Sequence, residues 1–390
     1  MRILFASVGN FGHIFPLLPL ARAARAAGHE VAFATGEQFH QTLSEAGFEP
    51  VTAGRSVPEA FIEAAGGRAF LEAHGGEVGA QDVPPEVLAN LHIKVFGSVL
   101  PRWVAADLAP VLERLRPDLV VHEVLNPGAG FAARLAGVPA LAHGVGLLSQ
   151  DHEAERLQQE ILATAADLGV TVPAGQALTL GNTYIDICPP SLQDRAFIES
   201  GQARIEQRPV AFVEPGELPA GLGESGKPFI YLTLGTALGS AENLRTVIDG
   251  LAPLGVPVLV ATGFRVQISD LGELPEHVIA APWLPQSAVL AHAALVVQHG
   301  GSGTTLATLE AGLPQLIVPQ GADGPANGVA VRDAGAGEVV FELTAAAVTE
   351  NARKILDDPA YREAARKIAA EIAAMPDPAE LAARLTEFAA

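Results

Sequence analysis

A single cysteine, Cys188, stands in 390 residues, which excludes an internal disulfide. A chain without such staples is expected in a reducing cytoplasm. Cys188 itself reads as a buried packing residue in Ile185-Asp186-Ile187-Cys188. Basic residues are scarce, 24 against 44 acidic ones, for a net charge of −20. That balance argues against nucleic acid or an anionic membrane as main partner. A phosphate ligand stays open, because backbone N–H groups can bind one without lysine. No apolar run approaches the roughly 20 residues of a bilayer span. The opening Met1-Arg2-Ile3-Leu4-Phe5-Ala6 runs straight into a turn and reads as a first strand, not a signal peptide. Aromatic residues are only 5%, so helices are expected to pack on sheets through small side chains.

What is present is apolar bulk. Hydrophobic residues make up 49% and charged residues 17%, enough for large cores, and 390 residues is natural for two domains. Residues 3–6, 31–34 and 48–51 read as strands, with helices at 14–21 and 38–46 between them. Residues 54–82 are irregular, with Gly66-Gly67 and Gly75-Gly76, and residues 87–115 read as one or two helices. Strands at 118–122 and 139–142 and an amphipathic helix at 153–168 follow. Residues 170–225 are broken by proline and glycine, and the domain boundary is expected at 214–227. The alternation then restarts, with strands at 229–234, 256–260, 278–280, 294–297 and 315–318 and closing helices from 345 onward. Strand–helix alternation predicts parallel, doubly wound α/β sheets in both halves.

The chain is organised around residues 299–327. After the strand comes His299-Gly300-Gly301-Ser302-Gly303-Thr304-Thr305, then Leu306, Leu309 and Leu313 at helical spacing. A strand, a glycine-rich turn and a helix place bare N–H groups at a helix N-terminus, where an anion such as phosphate is stabilised. A tight turn without ligand has the same look. The spacing is neither Gly-x-Gly-x-x-Gly nor that of a P-loop.

The whole run, with Pro314, Pro319, Asp323 and Asn327 and with Trp283-Leu284-Pro285-Gln286 upstream, resembles the donor-binding signature of family 1 nucleotide-sugar glycosyltransferases. The likeness is greatest to the actinobacterial enzymes that decorate polyketide and macrolide natural products. It covers nearly the whole chain and its motifs concentrate in residues 229–335. It implies the GT-B fold, two facing Rossmann-like domains with the active site in the interdomain cleft. On that pattern residues 1–215 bind the acceptor, 216–375 bind the donor, and 376–390 form a helix crossing back to the first domain.

His13, in Gly12-His13-Ile14-Phe15-Pro16, ends the first strand–turn unit on the carboxyl side of the sheet. Histidine suits removal of a hydroxyl proton near neutral pH, although a structural role is the commoner one for a histidine in such a turn. The resemblance places His13 at the family's catalytic histidine. It places Glu123 where many members have an aspartate that orients that histidine, one methylene shorter. A solvated carboxylate at a strand end is the plain alternative for Glu123. His122 is a competitor that strand alternation sends to the opposite face.

The resemblance further implies that Trp283 stacks on the nucleotide base, that Leu284 meets it through backbone and that Gln286 makes a polar contact near the nucleoside. It implies that Gly235 and Thr236 contact phosphate, and that His299 with the N–H groups of Gly301, Ser302, Gly303 and Thr304 holds the diphosphate. Two departures bear on the donor. Ala307 stands where plant relatives have a ribose-binding glutamate, which favours thymidine over uridine diphosphate, with Glu310 one turn on as the residue that could compensate. Asp323 keeps the sugar-bonding acid, but Gly324 replaces the usual glutamine, which suits a deoxysugar or merely weakens the site. No cofactor and no metal are expected.

The expected function is therefore an inverting transferase moving a sugar from a TDP- or UDP-sugar to a hydrophobic acceptor, for which Phe61, Phe70, Phe96 and Leu147 are candidate contacts. A nucleotide-sugar epimerase or hydrolase on the same fold, and a non-catalytic nucleotide-sugar-binding subunit, are the competing readings. A homodimer stays open.

Overall fold

The computed structural model describes residues 1–67, 84–211, 228–235, 239–263 and 265–389. They form two compact units. The first holds Met1–Ile187, Asp194–Gln207 and Pro376–Ala390, the second Cys188–Gln193 and Arg208–Met375. The boundary expected at 215/216 lies outside the described residues. Residues 188–193, expected with the first half, cluster with the second unit.

The first unit is built on seven parallel strands: β1 (Arg2–Ala6), β2 (Glu30–Thr35), β3 (Glu49–Thr52), β4 (Leu119–Glu123), β5 (Ala140–His143), β6 (Thr183–Asp186) and β7 (Arg204–Glu206). Their spatial order is β3-β2-β1-β4-β5-β6-β7. Strand order reverses between β1 and β4, so the two strands at this switch point, paired Phe5 to Val121 and Ala6 to His122, aim their carboxyl ends at one place. Strands β6 and β7 arise inside the stretch read as broken. They are only four and three residues long and flanked by turns, too short for a periodic signal.

The residues 87–115 run proves to be two helices, Pro85–Lys94 and Leu100–Leu115, joined by a π-helical turn at Val95–Val99. Within it, Glu86–Leu115 is long and apolar enough to cross a membrane by length and composition, and 56% of its most apolar window is buried inside the protein. Leu108, Val111 and Leu112 join Leu4, Ala32 and Val120 in the core. The helix Pro378–Ala382 packs on Leu18–Ala26 within the same unit.

The second unit has six parallel strands: β8 (Phe229–Thr233), β9 (Val258–Ala261), β10 (Val278–Ala281), β11 (Ala293–Gln298), β12 (Gln315–Ile317) and β13 (Gly337–Val339). Their order is β10-β9-β8-β11-β12-β13, with the switch point between β8 and β11. The inner strands β8, β9, β11 and β12 are buried on both faces, which is why they read as continuous apolar runs. Ile230, Leu232, Val260, Leu295 and Val297 pack on one side under the helices Ala241–Leu251 and Ala345–Asp357. Tyr231, Leu259 and Val296 pack on the other. Burial of Tyr231 raises its phenol to about 12, so it remains neutral.

Candidate functional site

In the first unit the site begins with a capped half-turn. Asn10, in extended conformation, accepts a hydrogen bond from the Gly12 N–H and starts the short helix Phe11–Ile14 directly after β1. His13 is carried on that helix, with its side chain 16% exposed, and its Nδ1 lies 3.1 Å from Glu123 Oε2. Glu123 ends β4 and is fully buried. Its other oxygen accepts the Leu125 backbone N–H at 2.6 Å. The solvated-carboxylate alternative for Glu123 is thereby excluded. A carboxylate on Nδ1 fixes the tautomer that leaves Nε2 as the basic nitrogen.

His122 points the other way and is fully buried. Its Nδ1 lies 3.1 Å from the Glu123 carbonyl and its Nε2 3.0 Å from Asn182 Nδ2. Burial pushes His122 down to about 4, so it stays neutral. His143, paired with Glu123 across β4 and β5, is held likewise at about 4 by burial.

Three candidate acceptor contacts are described. Phe96 lies nearly parallel to the His13 ring, at 6.1 Å between centroids and 15° between planes. Phe61 meets His92 edge-on at 4.8 Å. Leu147 is half-buried, while Phe70 lies outside the described residues. His92 is the residue that sequence reasoning missed: its ring lies nearly parallel to Phe96 at 6.4 Å and 7°. Its spacing of four from Phe96 on one helical run was the available signal.

In the second unit the glycine turn follows β11 as expected, with Gly301 as N-cap of the helix Ser302–Glu310. The His299 ring is wedged between two glycines. A Cβ at Gly235 would come within 2.9 Å of its Cε1 and Nε2, and a Cβ at Gly301 within 2.4 Å of Nε2. Both positions therefore need glycine for close approach. Burial lowers the pKa of His299, partly opposed by Asp323, so the ring is a neutral donor. Its Nδ1 is buried without a hydrogen-bond partner among the described residues. Thr236 lies outside the described residues.

Two expected contacts are engaged differently. Asp323 Oδ2 accepts from the Ser302 N–H at 2.8 Å, from Ser302 Oγ at 2.5 Å and from Asn327 Nδ2 at 3.1 Å. The cause is local: Gly301 has no side chain to cap the helix, and an orphan N–H at its positive end draws the nearest carboxylate. Ser302 is thus turned to Asp323, and among the described residues no hydrogen bond uses the N–H groups of Gly303 and Thr304. Asn327 also donates to the Gly300 carbonyl at 2.7 Å. Gln298 accepts from Gly300 N at 2.6 Å and donates to Thr305 Oγ1 and Gln315 Oε1, both at 2.9 Å. A buried glutamine closing an otherwise apolar strand was the available signal for this brace.

Trp283 is 36% exposed after β10, so it is not a core tryptophan. Leu284 is buried, and Gln286 opens the helix Gln286–Leu290. Ala307 is buried among Leu284, Val289 and Leu290. Glu310, the expected substitute for a ribose-binding acid, is exposed and takes the Ala211 backbone N–H, with desolvation raising its pKa.

Residues 22–226 match the N-terminal domain of the erythromycin biosynthesis protein CIII-like family, and residues 245–388 match its C-terminal domain. Elloramycin glycosyltransferase ElmGT of Streptomyces olivaceus is 32% identical, covering 99% of this chain and 97% of its own. L-demethylnoviosyl transferase of Streptomyces niveus is 31% identical, covering 98% and 97%. Among solved structures, the Streptomyces sp. SF2575 glycosyltransferase SsfS6 complexed with thymidine diphosphate superposes with a TM-score of 0.77 at 30% identity, over 99% of both chains. Glycosyltransferase VinC in complex with dTDP gives 0.76 at 26% identity, over 100% of this chain and 99% of its own. Two Rossmann-like parallel-sheet units with these relatives define a glycosyltransferase of the GT-B class. Within that class, the chain belongs to the erythromycin biosynthesis protein CIII-like family of actinobacterial natural-product glycosyltransferases.

Proposed function

We propose that this chain moves a deoxysugar from a thymidine diphosphate carrier to a hydroxyl of a hydrophobic, polyketide-type acceptor, with inversion at the anomeric carbon and without a metal. The observation that carries the reading is the His13–Glu123 pair, 3.1 Å apart on a fully buried carboxylate. In the reaction, the acceptor's O–H proton passes to His13 Nε2. The freed oxygen pair attacks the anomeric carbon as the bond from that carbon to the diphosphate oxygen breaks. The leaving diphosphate keeps those electrons, and the Glu123 carboxylate stabilises the imidazolium.

On the donor side, His299 and the N–H groups of Gly303 and Thr304 meet the developing diphosphate charge. Gly235 and Thr236 add phosphate contacts, and Gly301 and Ser302 shape the turn. Trp283 stacks on the base, with Leu284 and Gln286 beside it. Asp323 uses its second oxygen for a sugar hydroxyl. Phe61, Phe70, Phe96 and Leu147 line the acceptor's path. The thymidine diphosphate complexes of SsfS6 and VinC support the choice of nucleotide. The single cysteine suits work in the cytoplasm.

The test is incubation with a TDP-deoxysugar, with and without an aromatic polyketide acceptor, followed by mass and anomeric analysis. A β-glycoside from an α-linked donor is expected. Conversion of the donor at equal rate without acceptor would replace this reading with epimerisation or hydrolysis.

A further inference from the structure

Phe96 stands on the π turn Val95–Val99, and that turn is built into the first unit with care. Val95 and Val99 are buried with Val8, Ala60 and Leu100, and Phe61, Phe96 and Trp103 pack against this cluster. Gly97 lets the helix His152–Asp167 close on the turn, because a Cβ there would fall 2.7 Å from Glu160 Cγ. A π turn inserts one residue into a helix, re-aims the side chains that follow, and recurs at functional sites. Here it sets the Phe96 ring nearly parallel to the His13 imidazole, at 6.1 Å and 15°. His92, one helical turn earlier, lies nearly parallel to Phe96 at 6.4 Å, with Nδ1 2.9 Å from the Leu88 carbonyl. The imidazole thus has Glu123 Oε2 at its Nδ1 and Phe96 as a stacked neighbour.

We propose that Phe96 is a positioning residue for the base. Its ring keeps the His13 imidazole in line with Glu123, and its negative π face stabilises the imidazolium that forms when the acceptor's proton arrives. The inference rests on His13 acting as the base. Of the charged or titratable groups on the elements packed here, Glu123 touches His13 directly, and His92 stacks beside Phe96. Glu160 lies against Gly97, and Lys94, Glu59 and Glu63 are exposed.

The experiment compares Phe96→Leu and Phe96→Tyr with the native enzyme, using an alkyl alcohol and a phenol acceptor of similar shape. Phe96→Leu should lower kcat with the alcohol about tenfold and with the phenol much less, since a phenol needs less help losing its proton. The midpoint of the rising limb of kcat/KM against pH should fall by about half a unit to one unit, because losing the π face disfavours the imidazolium. Phe96→Tyr, which keeps the π face, should keep the pH midpoint near native, and nucleoside diphosphate affinity should not move in either variant. If Phe96→Leu does not fold, Phe96→Met, close in volume and also lacking a π face, makes the same comparison. A raised acceptor KM with an unmoved pH midpoint would mean that Phe96 only packs the acceptor, and would overturn the proposal. His13→Ala separates the two readings. Near-native transfer in that variant sinks both, whereas an inactive His13→Ala beside an unmoved midpoint in Phe96→Leu sinks the positioning role alone.

Discussion

His13 and Glu123 form a pair in which each residue makes the other useful. A fully buried carboxylate is costly without compensation, and Glu123 has the Leu125 N–H on one oxygen and the His13 imidazole 3.1 Å from the other. His13→Ala should cost about a hundred- to ten-thousand-fold in transfer to an alcohol, with nucleotide affinity within a few-fold. Steady-state rates and calorimetry check the two halves of that statement. Glu123→Gln keeps the size but cannot stabilise an imidazolium, so about tenfold or more should be lost while the thermal midpoint stays close to native. In the second unit, His299 is a neutral ring pinned by Gly235 and Gly301. Removing it as His299→Ala should weaken nucleoside diphosphate binding by roughly ten- to a hundred-fold, the worth of a hydrogen bond to a charged group. Titration calorimetry would show unchanged affinity if the diphosphate binds elsewhere.

At the scale of elements, the glycine turn is braced from both sides. Gln298 reaches it from β11, and Asp323 and Asn327 reach it from the start of the helix Gly324–Asp333. Gly324 has a role in that brace that the missing glutamine obscured. A Cβ at Gly324 would lie 2.6 Å from the His299 carbonyl, and one at Gly300, where φ is +91°, would lie 2.5 Å from Gly324 Cα. The two backbones touch, so a side chain at 324 must push the turn apart. Gly324→Gln should therefore not restore glucose use. It should lower stability by about 1–3 kcal/mol, as overpacking does, and weaken nucleotide binding. A glucose donor turned over faster by the variant would show that the turn yields and that the amide matters instead.

For the whole molecule, two consequences follow from burial. His122 and His143 are held near 4 in the folded chain against an ordinary 6.5. The unfolded chain thus binds more protons between those values, and stability falls as pH drops from about 6.5 to about 4. The loss approaches on the order of 3 kcal/mol per histidine, and is absent above pH 7. Thermal unfolding at stepped pH should show it, with a shallower slope in His143→Gln. Donor choice is the second consequence. Ala307 is packed in the core, and Glu310 already accepts the Ala211 N–H, so a 2′-hydroxyl meets no carboxylate at position 307 itself. Thymidine diphosphate should bind better than uridine diphosphate by a modest factor, with up to about 0.8 kcal/mol from the methyl group and on the order of 1–3 kcal/mol from an unpaired hydroxyl. Side-by-side titration decides it, and a clear preference for uridine would remove position 307 from the argument.

The strand–helix alternation, the parallel sheets and the glycine turn at 299–305 were legible in the chain itself, because apolar period and glycine spacing are local properties. His13 and Glu123 could be named from their motifs, but not joined. Their meeting needs β1 and β4 to be neighbours across a switch point, and 109 residues lie between His13 and Glu123 in the sequence. The same holds for Asp323 turning to Ser302 and for Gly300 against Gly324. Each is a contact between elements whose distance in sequence says nothing of their distance in space. Only packing, which closes one backbone on another to within van der Waals reach, could decide them.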